Sequence, residues 1–154
     1  MNEKLWADPD KCTGCGICEL VCSLHHEGQW THALSRVQVL AHPELELFIP
    51  LFCQQCEEPP CETACLMNVI DRNETSGRVE RQHEGCIGCR ACEVSCPLVG
   101  CFYLESKERV LNCDLCDGDP QCVTFCPEGA LTFSSSDSQL HDRKRQRYHA
   151  LVSY

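Results

Sequence analysis

No apolar run in this chain approaches the length needed to cross a bilayer, and the opening stretch MNEKLWADPDKC has neither an apolar signal region nor paired arginines. A membrane span is therefore not expected, and a cytoplasmic location is. Glycine-rich nucleotide fingerprints are missing too, as is any motif suggesting a nucleophile, a pterin pocket or a flavin site, so catalysis by the chain itself is not expected. Positive charge is scarce: 13 Lys and Arg stand against 23 Asp and Glu, a net of -10. Nucleic acid is not expected as a partner on that balance. Aliphatic material is thin as well, because only 49 of the 154 residues are apolar once cysteine is set aside. Something other than ordinary packing must hold such a fold together.

What the chain has instead is cysteine, 17 in all. Disulfides would explain that density in a secreted protein but do not suit a chain expected in the cytoplasm. The spacing points elsewhere. The stretch CIGCRACEVSCP places Cys86, Cys89, Cys92 and Cys96 at x2, x2, x3 ahead of Pro97. Bacterial ferredoxins hold [4Fe-4S] clusters with this run. Three thiols two residues apart wrap one cuboidal cluster and bind three of its irons. Cys96 lies about one helical turn beyond Cys92, so its sulfur is free for a second cluster, and a partner motif is required. Three more are present: Cys12, Cys15, Cys18 and Cys22; Cys53, Cys56, Cys61 and Cys65; Cys113, Cys116, Cys122 and Cys126. Structural zinc sites pair two CxxC knuckles and have no use for a third cysteine at x2 and a fourth at x3. The sixteen thiols divide into four cubanes. Cys101 is left over beside Phe102 and Tyr103, where it reads as a small buried apolar residue.

Around the motifs the pattern is of short elements. A strand is expected near Lys4 to Ala7. A helix is expected from Cys18 to His26, with Leu20, Val21 and Leu24 as its apolar positions and Gly28 as its stop. Gly14 and Gly16 serve as turn residues or let backbone amides face the cluster. Alternation over Val37, Val39 and Ala41, and again over Leu45, Leu47 and Ile49, predicts a hairpin turning at His42, Pro43 and Glu44. Pro59 and Pro60 suit the start of a helix bearing Cys61 and Cys65 on one face. Hairpins are expected over 69–81, turning at 73–77, and over 101–112, turning at Ser106 and Lys107. A last strand is expected over 130–133. His25 and His26 are read as surface residues, and metal binding is not expected of them, of His42 or of His83.

Taken together, the four motifs in order, with the CxxCx4CxxxC form of the second, resemble the four-cluster ferredoxin-like subunits of molybdenum and tungsten pterin oxidoreductases. That family has relatives in hydrogenase and carbon monoxide dehydrogenase systems. The resemblance spans about residues 5 to 133 and implies an α+β fold of two nested dicluster-ferredoxin-like modules. It implies four ligand sets: Cys12, Cys15, Cys18 and Cys126; Cys22, Cys113, Cys116 and Cys122; Cys53, Cys56, Cys61 and Cys96; Cys65, Cys86, Cys89 and Cys92. The segment CSLHHEGQWTHALSRVQV looks like that of compact members, the small subunits of tungsten aldehyde oxidoreductases and of benzoyl-coenzyme A reductases. Leu66 departs from the proline common after the fourth cysteine.

The function this implies is relay of single electrons, with no catalysis, to or from a large pterin-containing subunit, of aldehyde oxidoreductase type, and a further ferredoxin or flavin partner. Hydrogenase, carbon monoxide dehydrogenase, formate or benzoyl-CoA reductase systems, or a free-standing polyferredoxin, are the alternatives. Oxygen sensitivity and collapse on iron chelation are expected. The body, residues 1–133, carries a net of -12, a field that favours oxidised clusters; residues 134–154 carry +2 and are expected to form a linker and a basic tail that docks a partner.

Overall fold

The structure is a computed structural model that describes residues 3–135. The tail beyond Ser135, with its expected docking role, lies outside the described residues. What is described is a mixed helix and strand fold of four two-stranded antiparallel sheets and short helices, without a closed barrel.

In chain order the elements are β1 (Glu3–Ala7), α1 (Ile17–Glu27), β2 (Gln38–His42), β3 (Leu47–Leu51), α2 (Pro60–Thr63), β4 (Ile70–Arg72), β5 (Val79–Arg81), α3 (Ala91–Ser95), β6 (Cys101–Leu104), β7 (Arg109–Asn112), α4 (Gln121–Thr124) and β8 (Leu131–Ser135). Helix α1 stops where expected: Gly28 turns left-handed at φ 67 and donates its N–H to the Leu24 carbonyl at 2.9 Å. Its buried face is Cys18, Val21, Cys22 and Ser23, however, and Leu24 is exposed. The helix turns its sulfur-bearing side inward, which leaves Leu24 outside. Leu45 is exposed in the turn before β3 and does not extend the strand. Helix α2 ends at Thr63, one turn long, so Cys65 sits past its end, its N–H held by the Glu62 carbonyl at 3.0 Å.

Strand pairing repeats. β4 follows the second motif and pairs with β5, which precedes the third. β8 follows the fourth motif and pairs with β1, which precedes the first, in register Leu5↔Phe133 and Ala7↔Leu131. Ser134 and Ser135, read from composition as linker, continue β8 opposite Lys4 and Glu3, and Trp6 Nε1 donates to the Ser134 carbonyl at 3.2 Å. Hairpins β2–β3 and β6–β7 are alike too, each closed by a 3-10 turn and a left-handed glutamate, Glu46 and Glu108.

Two cores follow this pairing. One gathers Leu5, Val21, Val37, Phe52, Leu115 and Leu131 with Cys18, Cys22, Cys113 and Cys122. The other holds Ile70, Val79 and Val110 with Cys61, Cys92 and Cys101. Each fully buried Val, Leu, Ile or Phe contributes about 1.5–3 kcal/mol, so the second core draws much less from aliphatic burial than the first. Polar links join the two: buried Glu27 of α1 pairs with Lys107 and, at 3.7 Å, with Arg109.

Candidate metal centres

Each motif reverses its chain in the same way. The residue just before the second cysteine is left-handed in all four: Gly14 (φ 71), Gln55 (φ 50), Gly88 (φ 67) and Leu115 (φ 62). Glycine takes that conformation without strain, and at Gly14 a Cβ would also run into the Phe48 ring. At Gln55 and Leu115 the turn costs about 1–2 kcal/mol, and their burial offsets it. Leu115 fills the first core. Gln55 Nε2 donates to the Cys113 carbonyl at 2.6 Å while its Oε1 accepts from Val79 N–H at 2.7 Å, tying the second motif to the fourth.

The turns bring cysteines from different motifs together. One cavity is lined by Cys12, Cys15, Cys18 and Cys126. A second is lined by Cys53, Cys56, Cys61 and Cys96, with Cys101 in its wall. A third is lined by Cys65, Cys86, Cys89 and Cys92. Cys22, Cys113, Cys116 and Cys122 form a further group, near enough to oppose one another's ionisation. All 17 are free thiols, and only Cys15 and Cys89 are exposed, each on a different cavity.

Their chemistry suits a bound cation. Burial pushes the Cys18 thiol up to about 12, and Cys53 and Cys116 to about 11. Cys113 and Cys122 are also pushed up by burial. Sulfurs so placed give up a proton when a metal takes its place, and four converging on one cavity match a cluster's demand for thiolates. Backbone amides face these sulfurs as well. Arg36 N–H points to Cys22 Sγ at 3.3 Å, Gly100 N–H to Cys96 Sγ at 3.2 Å, Leu115 N–H to Cys113 Sγ at 3.4 Å and Ala130 N–H to Cys126 Sγ at 3.3 Å. Such bonds tune cluster potentials. The left-handed Val99 and Gly129 set the last turn before two of them.

Three neighbours were not evident from motif spacing. His26, expected at the surface, is largely buried, with Nε2 at 3.6 Å from Cys116 Sγ and 3.4 Å from Asp114 Oδ1; Asp114 in turn pairs with Arg36. Burial and the Arg36 charge hold the His26 pKa below its ordinary value. His25, His26 and Cys116 bring their ligand atoms within 4.8 Å of one another. His83 lines the third cavity. Cys101, 2% exposed, donates its thiol to the Cys92 carbonyl at 3.4 Å and also lies against the Cys92 sulfur. The side-chain contact with Cys101, with the charge of Arg81, holds the Cys92 thiol below its ordinary value against the opposing effect of burial. Arg81 itself follows Val79 by two residues in β5, so strand alternation turns it toward the core, a signal present in the sequence.

Cysteine-lined cavities built on CxxC turns, short helices and two-stranded hairpins define a ferredoxin-like iron–sulfur protein. This chain belongs to the family of 4Fe-4S dicluster domains, whose model matches residues 45–136; a 4Fe-4S binding domain also matches residues 3–24. It is 40% identical over 134 residues to the polyferredoxin-like subunit of an aliphatic sulfonate oxidoreductase from Pyrococcus furiosus, covering 83% of this chain and 75% of that protein. It is 36% identical to the beta subunit of NADH-dependent phenylglyoxylate dehydrogenase from Aromatoleum evansii, over 80% of this chain and 28% of that protein. Among solved structures it is similar to a chain of the active-site complex BamBC of benzoyl coenzyme A reductase, with TM-score 0.52 and 32% identity, over 86% of this chain and 75% of that one. Among the described residues no helix is long and apolar enough to cross a membrane.

Proposed function

We infer that this chain is the electron-relay subunit of a larger oxidoreductase, holding four [4Fe-4S] clusters between a catalytic subunit and a second redox partner. The observation that carries this is the lining of three cavities by four cysteines each, with one exposed cysteine on each of two of them. The proposed sets are Cys12, Cys15, Cys18 and Cys126; Cys22, Cys113, Cys116 and Cys122; Cys53, Cys56, Cys61 and Cys96; Cys65, Cys86, Cys89 and Cys92.

When bound, such clusters take up and return single electrons without making or breaking bonds. The chain's own residues supply a path. Helix α1 carries Cys18 and Cys22, one from each of the first two sets, and α4 carries Cys122 four residues ahead of Cys126. Cys61 and Cys65, and Cys92 and Cys96, join the other two sets across α2 and α3. Gln55 bridges the middle, from the second motif to the Cys113 carbonyl. Exposed Cys15 and Cys89 mark the entry and exit, and the other cysteines are buried or half-buried.

The catalytic partner we favour is a pterin enzyme of tungsten aldehyde oxidoreductase type. The compact segment after the first motif supports it, as does likeness to a sulfonate oxidoreductase subunit and to a benzoyl coenzyme A reductase complex. Co-purification from the native host with metal analysis tests the assignment. A large tungsten- or molybdenum-containing subunit is expected. Recovery of the chain as a stable monomer would make it a free-standing polyferredoxin, and nickel would indicate a hydrogenase or carbon monoxide dehydrogenase system.

A further inference from the structure

We propose that Arg81 is a shared electrostatic tuning residue, raising the reduction potentials of the two clusters held by the second and third motifs above those of the other pair. This rests on the four-cluster reading given above. Arg81 lines both the cavity of Cys53, Cys56, Cys61 and Cys96 and the cavity of Cys65, Cys86, Cys89 and Cys92. Among the described residues it is the one common to the two walls. The side chain is fixed in place. Its Nε donates to Asn112 Oδ1 at 2.6 Å, and the Asn112 amide is pinned by bonds to the Val79 and Cys113 carbonyls, each at 3.1 Å. The positive charge of Arg81 acts on Cys61, Cys92 and Cys101.

Reduction adds a negative charge to a cluster, so a fixed cation between two of them stabilises both reduced forms, and low polarity around it strengthens the effect. In the first half Arg36 lies near Cys116, but it is paired with Asp114, which offsets its charge. Among the described residues, the charged side chain lining the cavity of Cys12, Cys15, Cys18 and Cys126 is Glu128, whose sign works the other way. An electron delivered by an external one-electron donor at the Cys15 side therefore moves toward the Cys89 side. One leaves the first pair and one arrives in the second, and no proton or bond is exchanged.

The test uses the full chain, purified without oxygen, as wild type, Arg81→Gln and Arg81→Lys. Iron and acid-labile sulfide are counted first, and redox titrations are then followed by electron paramagnetic resonance. A shortfall of iron in the wild type refutes the four-cluster reading, independently of Arg81. With iron intact, Arg81→Gln should lower two of the four midpoint potentials and leave the other two in place, and Arg81→Lys should recover part of the loss. Unchanged potentials, or a shift shared by all four, overturn the proposal. Should Arg81→Gln lose iron, Arg81→Lys decides: a fall confined to two clusters supports the assignment, and anything else overturns it.

Discussion

The half built on the first and fourth motifs and the half built on the second and third share one cysteine skeleton but differ in nearly everything packed around it. The first half has an 11-residue helix and six buried aliphatic or aromatic side chains. The second has helices of 4 and 5 residues and three such side chains, Ile70, Val79 and Val110. A half-buried cation lines both cavities of the second half, while a cavity of the first is lined by a carboxylate. Under the proposed four-cluster reading, ligation sets the topology in both, and the neighbours decide how far each half stands without metal and at what potential its clusters work.

The largest expected effects come from the ligands. Cys92→Ala should cost the second half both of its clusters, because little aliphatic core remains to hold the other ligands in place. Cys18→Ala should release only about four irons, with the rest of the chain intact. Iron counts with hydrogen exchange on each variant check this; equal losses in both would end the contrast. Next come the cores themselves. Leu131→Ala, at 2% exposure, should destabilise the first half by about 2–5 kcal/mol in denaturant unfolding of the holoprotein. Val79→Ala should cost less, since metal carries more of that half.

The link between the halves is weaker still. Glu27→Gln should cost about 1–3 kcal/mol by leaving Lys107 and Arg109 without their carboxylate. Burial opposes the Glu27 charge, but Lys107 and Arg109 outweigh it and hold its carboxyl below the usual range. The folded pKa lies below the unfolded one, so this stabilisation is complete above the ordinary glutamate value and is lost as pH falls through the lowered one. A wild-type stability profile should show that acid limb, and Glu27→Gln should flatten it. The smallest effect is expected at Val99, a β-branched residue at φ 51 and 57% exposed. Val99→Gly should stabilise by about 1 kcal/mol through relief of the left-handed turn. A loss on thermal unfolding would show that the exposed side chain contributes more than the strain costs.

Much of this was legible in the sequence because cysteine spacing is a strong signal. The hairpins and the α1 stop at Gly28 follow from residues whose chemistry allows few alternatives, whereas which motifs share a cavity was implied only by the family resemblance. Leu24 lies outside because α1 buries sulfur where apolar periodicity assumes carbon, and Leu45 because it falls in the 3-10 turn and not in β3. His26 and Arg81 escaped notice for another reason. Each reaches a cysteine far away in sequence, Cys116 and Cys61 among them, and only the pairing of distant motifs creates that neighbourhood. Gln55 is the same case: a polar residue inside CQQC looks like filler until its amide is seen to bridge Val79 and Cys113.

The central claim is that sixteen of the cysteines form four cages in a single chain. Anaerobic purification followed by elemental and acid-labile sulfide analysis tests it most directly. About sixteen irons and as many sulfides per chain are expected. Zinc in place of iron, or an iron content near eight, would contradict it.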